Sequence, residues 1–317
     1  MMLCWRLEAG GLAPEPAGPE AALWIDLVNP GREELARLSA LIGAEPPTRE
    51  EQEEIELSSR LYVENGVAVM TALLPAYTQT EKAEIGPVSF MLTPQRLVTV
   101  RHHDPRPFET YPKRAGKAAL PCSSAATALI GLIEEIIDRL ADITELAGRR
   151  IETLSLKTFE AEKAANGDLR GALKEIGRLD GRVAQLRDSL VTMERLLGFL
   201  APVLDHQKAG KDAKTILKSQ LRDVRTISEQ AGYLMQKTAF LLDATLGLIS
   251  VEQNGIIKIF SVVAVVFLPP TLVASIYGMN FEWMPELGWR WGYPAALGLM
   301  ALSAAAPLIY FKRKGWF

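Results

Sequence analysis

Tyr277-Gly278-Met279-Asn280-Phe281-Glu282-Trp283-Met284-Pro285-Glu286-Leu287 is a short polar and aromatic stretch set between the only two long hydrophobic runs of the chain. From about Ile256 to Ile276 the sequence is almost wholly apolar, with Lys258 its one charge, and from about Trp291 to Phe311 it carries no charge. Each run has roughly the 20 residues that a helix needs to cross a bilayer core. A connection this short makes the runs a membrane hairpin and the quoted stretch its turn. Lys312-Arg313-Lys314 follows the second run directly, whereas the turn holds Glu282, Glu286 and a single Arg290. Lys and Arg are retained on the cytoplasmic side, so the turn is expected outside and both termini inside. Trp283, Trp289, Trp291 and Tyr293 at one end, and Trp316 at the other, suit the two interfacial aromatic belts.

The residues before the hairpin read as soluble and charged. A net charge of −3 over 317 residues and a pI near 5.8 argue against a nucleic-acid partner. Met1-Met2-Leu3-Cys4-Trp5-Arg6 has no basic segment followed by an apolar core, so no signal peptide is expected. Cys4 and Cys122 lack ligand spacing and are read as free thiols. No phosphate loop, dinucleotide fingerprint or Ser/His/Asp arrangement occurs, so neither an enzyme nor an organic cofactor is expected.

The pattern predicts an α+β membrane protein in three parts: an α/β cytosolic domain over 1–120, long cytosolic helices over 121–255, and a two-helix transmembrane domain over 256–317. Residues 1 to about 22, rich in Gly, Pro and Ala, predict an irregular entry. Leu23–Leu27 predicts a strand, and Leu35, Leu38 and Leu41 predict a helix stopped at Gly43. Arg60–Val63 and Val67–Met70 flank Asn65-Gly66, and Val88–Leu92 and Arg96–Val100 flank Thr93-Pro94-Gln95, which predicts two hairpins. His102 and His103 are neighbours on extended chain and point to opposite faces, so they do not share a metal. From about residue 123 apolar residues recur by threes and fours, with a break at Asn166-Gly167-Asp168 and a stop at Pro202 and Ala209-Gly210. That spacing predicts long helices packed lengthwise in coiled-coil style. A third series from near Ala213 runs without Pro to Pro269, which predicts one helix of some 60 residues passing from cytosol into membrane.

Within the first apolar run Asn254, Ile257, Ser261, Ala264, Leu268, Thr271 and Ser275 recur by threes and fours and share one face. The face is small or moderately apolar in its middle and polar towards its ends. Periodicity supports a water-lined conduit and a helix-packing face equally, since Ser, Ala and Thr serve both. Pro269-Pro270 frees backbone carbonyls nearby, which membrane helices tolerate where protein or water satisfies them.

The quoted stretch, with Gly292-Tyr293-Pro294 and Tyr310–Lys314 after it and Glu252–Asn254, Ile256–Val263 and Phe267–Ala274 before it, resembles the C-terminus of the CorA magnesium transporters. The Gly-Met-Asn tripeptide alone is weak. Together with both apolar runs, their order and the terminal basic cluster, the resemblance is specific over residues 252–317. It implies a funnel-shaped homopentamer in the inner membrane, whose first membrane helices line a central pore and whose second helices ring them. Carried over by position, Gly278, Met279 and Asn280 form the outer mouth and selectivity filter. Asn254, Ile257, Phe260, Ser261, Ala264, Leu268, Thr271 and Ser275 line the conduit, with Glu282 and Glu286 in the external loop. The implied function is influx of Mg²⁺, and also Co²⁺ and Ni²⁺, down the membrane potential. Mg²⁺ bound between cytosolic domains is implied to regulate it, with Asp223 in that site. A zinc-transporting branch of the same superfamily and a membrane-anchored sensor or scaffold are the alternatives. The Phe-Glu-Trp-Met-Pro-Glu-Leu continuation resembles the magnesium branch.

Overall fold

The computed structural model describes residues 1–8, 11–54, 56–78, 83–117, 120–161, 168–280 and 284–316, without the side chains of 57, 160 and 161. Seven strands form one sheet: β1 (Met2–Glu8), β2 (Gly11–Pro14), β3 (Trp24–Val28), β4 (Leu61–Glu64), β5 (Val67–Ala76), β6 (Glu84–Leu92) and β7 (Leu97–Arg101), in the order β2-β1-β3-β7-β6-β5-β4. Among the described residues only β3 and β7 pair in parallel, and the other pairings are antiparallel. The β4–β5 hairpin turns on Asn65 and Gly66 at φ of 50° and 81°, the left-handed conformations that this residue pair accepts. The β6–β7 turn is held by Thr93 Oγ1, which accepts from the Arg96 N–H at 3.0 Å.

The irregular entry expected over residues 1–22 is corrected by β1 and β2. Gly, Pro and Ala depress strand propensity, but that preference yields to packing. Trp5 stacks on Trp24 with ring centroids 6.0 Å apart, and Pro14 sits at the end of an edge strand, where a missing N–H is tolerated.

Around the sheet lie α1 (Arg32–Ile42), α2 (Arg49–Glu53), α3 (Leu57–Arg60) and α4 (Pro107–Arg114), followed by the long helices α5 (Ala125–Ala161), α6 (Leu169–His206) and α7 (Lys211–Tyr277). As predicted, α1 stops at Gly43, whose φ of 75° is open to glycine. One face of the sheet packs through Ile25, Val69, Met91 and Val98 with Leu38 of α1. The other presents Trp24, Met70, Phe90 and Leu97 to a core that includes Leu129 and Ile133 of α5, Leu190 and Leu197 of α6, and Leu217 and Val224 of α7. The core therefore runs across residue 120.

Asp26 and Arg101 form an ion pair inside this core, at 1% and 4% exposure. Arg101 Nη2 donates to Asp26 Oδ2 at 2.9 Å, Thr99 Oγ1 donates to Asp26 Oδ1 at 2.7 Å, and Trp24 Nε1 donates to Thr99 Oγ1 at 3.0 Å. The parallel register of β3 on β7 places Asp26 beside Thr99 and so builds the network. His103 bonds the Leu74 carbonyl through Nε2 at 2.8 Å, a structural use for one of the two adjacent histidines. Both cysteines are free; burial pushes the Cys122 thiol up to about 11.

A second apolar seam, with Ile151 and Leu154 of α5, Ile176, Leu179 and Val183 of α6, and Leu234 and Leu241 of α7, joins the three long helices lengthwise. Asp168 caps α6, its Oδ1 accepting from the Gly171 N–H at 2.8 Å, while Asn166-Gly167 lies outside the described residues. Pro202 does not end α6, which continues to His206. A proline in the last turn removes a single helical hydrogen bond, and Leu200 and Leu204 on either side are buried. α7 has 67 residues, about 100 Å of helix at 1.5 Å per residue, and carries Pro269 and Pro270 inside it.

The chain divides into two compact units, Met1–Leu242 and Asp243–Phe317. The second consists of the C-terminal part of α7, a 3-10 turn at Pro285–Gly288, and α8 (Gly292–Arg313). Both α7 and α8 are long and apolar enough to cross a membrane.

Candidate functional site

Two faces can be distinguished on the apolar end of α7. Val262, Val266, Pro269, Val273 and Tyr277 are buried or half-buried and recur by threes and fours, with half-buried Pro270 beside them. Asn254, Ile257, Ser261, Ala264, Leu268, Thr271 and Ser275 are all exposed, Ile257 at 60% and Leu268 at 66%. At 100° per residue the two sets lie on roughly opposite sides of the helix. Phe260, 70% exposed, borders the second set. The stripe read from the sequence thus lies away from the face that packing within this unit covers.

Pro269 and Pro270 have no N–H, so the carbonyls of Val265 and Val266 have no helical donor. The next carbonyl, that of Phe267, accepts a bond from Thr271 Oγ1 at 2.7 Å. α7 nevertheless stays helical through this point to Tyr277.

The turn then leaves the helix in a tight curl. The Gly278 N–H donates to the Ala274 carbonyl at 2.9 Å, and the Met279 N–H to the Ile276 carbonyl at 3.3 Å. A side chain at 278 would begin 3.1 Å from the Ala274 oxygen, so the curl favours glycine. Asn280 follows, exposed, just beyond the C-terminal end of the stripe. Glu282, with Phe281 and Trp283, lies outside the described residues, and Glu286 is exposed on the 3-10 turn. Beside the curl is a cavity of about 390 Å³, between Ala274, Tyr277 and Gly278 on one side and Trp289, Tyr293 and Ala296 on the other. Its wall depends on Gly292, where a Cβ would stand 2.5 Å from the backbone oxygen of Glu286. Backbone cannot rotate aside as a side chain can. Gly292→Ala is therefore expected to displace the 3-10 turn and cost about 1–3 kcal/mol, as overpacking does, which the thermal midpoint of the full chain in detergent would register.

At the opposite end of α8, Trp316 stacks on Phe311 with centroids 4.9 Å apart. Lys258 and Lys314 both stand 5.7 Å from the Trp316 ring centre. Lys258, the one charge of the first run, is thereby gathered with the terminal basic cluster. The sequence contains no periodic signal for this pairing, which joins residues nearly sixty positions apart.

Asp223 is exposed on α7. Burial raises the Asp138 carboxyl on α5 above its usual range, and the charges of Glu135, Asp142 and Asp223 raise it further against the lowering by Arg114. Among the described residues no group of three or more His, Cys, Asp or Glu is placed to hold a metal ion. Asp223 therefore belongs to no such group among the described residues.

The chain matches the family described as CorA-like Mg2+ transporter protein over residues 19–313. It is 38% identical to the magnesium transport protein CorA of Pasteurella multocida over 298 residues, 93% of this chain and 92% of that protein. The same identity holds over 297 residues, with the same coverage, for the magnesium transport protein CorA of Salmonella typhimurium. In fold it resembles the complete CorA magnesium transporter from Methanocaldococcus jannaschii, with a TM-score of 0.76 at 19% identity over 100% of this chain and 99% of that one. The full-length CmaX protein is similar at a TM-score of 0.63 and 17% identity, over 98% of this chain and 97% of that one. A soluble α/β portion with long helices, two membrane-compatible helices, and a Gly-Met-Asn curl between them agree with these matches: the chain belongs to the CorA-like Mg²⁺ transporter family.

Proposed function

We propose that this protein conducts Mg²⁺ into the cell along a pore lined by the exposed stripe of α7. The observation that carries the reading is the position of that stripe: uncharged, polar at both ends, on the side of α7 away from the face covered within its own unit, with the Asn280 amide at its outer end. One chain cannot enclose a conduit, so several copies must bring their stripes together. A homopentamer accords with the family resemblance. The basic cluster at the Trp316 end then lies on the cytoplasmic side of the inner membrane, and Asn280 outside.

Mg²⁺ holds its waters tightly and sheds them reluctantly. A ring of Asn280 amide oxygens accepts hydrogen bonds from those waters and recognises the ion still hydrated. Neutral oxygens also release it, which conduction requires. Glu282 and Glu286 raise the local cation concentration at the mouth. The potential drives entry: at about 2.3 kcal/mol per charge per 100 mV, a divalent ion gains roughly 4.6 kcal/mol. Closure is dewetting at the apolar middle, where Ile257, Phe260 and Leu268 stand. Cytosolic Mg²⁺ bridging carboxylates between protomers, Asp223 among them, favours that closed state.

The test is flux into proteoliposomes holding the full-length protein at an inside-negative potential, with and without internal Mg²⁺. Uptake of Mg²⁺ that collapses without the potential and falls when internal Mg²⁺ is present is the expected result. Parallel runs with Co²⁺, Ni²⁺ and Zn²⁺ give the ion preference. A protein that folds and inserts but passes no ion is an anchored sensor or scaffold, and preference for Zn²⁺ over Mg²⁺ overturns the magnesium assignment.

A further inference from the structure

A groove of about 480 Å³ opens between α5 and α6, in a unit that the conduit does not use. α5 contributes Arg149, Arg150 and Lys157 to it, and α6 contributes Lys174, Arg178 and Arg182. Among the described residues Glu175 is the one carboxylate in the lining. Six cations against one anion is a pronounced local excess in a chain whose net charge is −3. Lys174, Arg178 and Arg182 are four residues apart along one helix face, a spacing at which like charges destabilise a helix. Arg149 is paired with Glu145 at 2.7 Å, but among the described residues Arg150, Lys157, Lys174 and Arg178 have no ion-pair partner. Such a convergence of charge is costly unless something neutralises it.

The form of the groove suggests the occupant. Two helices wall it, so cations face one another from both sides. Arg guanidinium groups on both walls match the geometry of phosphate oxygens. The floor is apolar, made by Leu154 and Leu179, each almost fully buried. Its volume falls within the range of about 300–1,000 Å³ usual for small-molecule sites. We propose that this groove binds an anion carrying several clustered phosphates, supplied by a soluble nucleoside triphosphate or by lipid headgroups. With six cations and one carboxylate lining it, the site prefers the free polyphosphate to its Mg²⁺ complex, which carries less negative charge. Occupancy by the soluble anion therefore rises as Mg²⁺ falls.

The probes are ATP and inorganic tripolyphosphate, titrated calorimetrically into the full-length protein in nanodiscs of neutral lipid at about 0.15 M salt, where exposed charges more than a Debye length apart are screened. Saturable binding near one probe per chain is expected, weakened about tenfold or more by the double substitution Arg150→Gln and Arg178→Gln, which removes two charge-assisted contacts. Excess Mg²⁺ should weaken the binding of both probes. Nanodiscs containing phosphatidylglycerol separate the sources: probe binding unaffected by that lipid assigns the site to the soluble anion, and competition by it assigns the site to headgroups. The double variant should unfold at the same temperature as the parent or a higher one, because it relieves repulsion among exposed side chains. No saturable binding of either probe, or equal binding by parent and variant, overturns the proposal. Dissociation of the assembly in the variant, without probe binding by the parent, shows instead that the arginines join copies of the chain.

Discussion

If the proposed filter is right, Asn280→Ala is expected to abolish Mg²⁺ uptake while the protein still inserts and assembles. Asn280 is exposed at the end of the curl, and among the described residues its side chain has no hydrogen-bond partner. Truncation therefore costs little folding stability. On the proposed reading, what it removes is the ring of amide oxygens that accepts from the ion's own waters. Hydrogen bonds to charged species are worth about 1.5–3 kcal/mol each. Loss of only two of them from the entry step costs roughly 3–6 kcal/mol, a fall of about a hundredfold or more at 1.4 kcal/mol per factor of ten. Uptake into proteoliposomes, alongside the size of the detergent-solubilised assembly, separates lost conduction from lost assembly. Uptake at the parent rate would remove Asn280 from the filter.

The largest effect on stability is expected in the first unit. Asp26→Ala leaves Arg101 charged, buried and deprived of its bidentate partner, with Asp104 still reaching Nη1 at 2.6 Å from a solvent-facing position. Removing one member of a buried pair costs about 3–5 kcal/mol. At roughly 2–4 °C per kcal/mol for a unit of this size, the thermal midpoint falls by about 6–20 °C. Replacing both members, Asp26→Leu with Arg101→Met, should restore most of the loss, because no charge is then left buried and unpaired. A double variant as unstable as Asp26→Ala would show that the network holds β3 against β7 by shape and hydrogen bonding more than by charge.

Much of this architecture was legible in the chain. The α1 stop at Gly43, the turn at Asn65-Gly66, the long helices and the two membrane-compatible runs depend on local chemistry, and each was found where its residues stand. β1 and β2 were illegible because their stability comes from β1 pairing with β3 and from Trp5 against Trp24. Pro202 misled for a related reason: one lost hydrogen bond is a local penalty, and burial of Leu200 and Leu204 outweighs it.

For the conduit, periodicity by itself placed Asn254 to Ser275 on one face but left packing and pore equally open. Tertiary structure showed a different face of α7 covered within the unit, which leaves this stripe exposed. The Asp26–Arg101 network, the closeness of Gly292 to Glu286, and the gathering of Lys258 with Trp316 were decided only there. Local propensity, hydropathy and charge order are properties of neighbouring residues, so the sequence by itself determined most of the elements, the two membrane-compatible runs and the family resemblance. Which distant side chains meet depends on register and packing across the whole chain, and only the folded molecule states that.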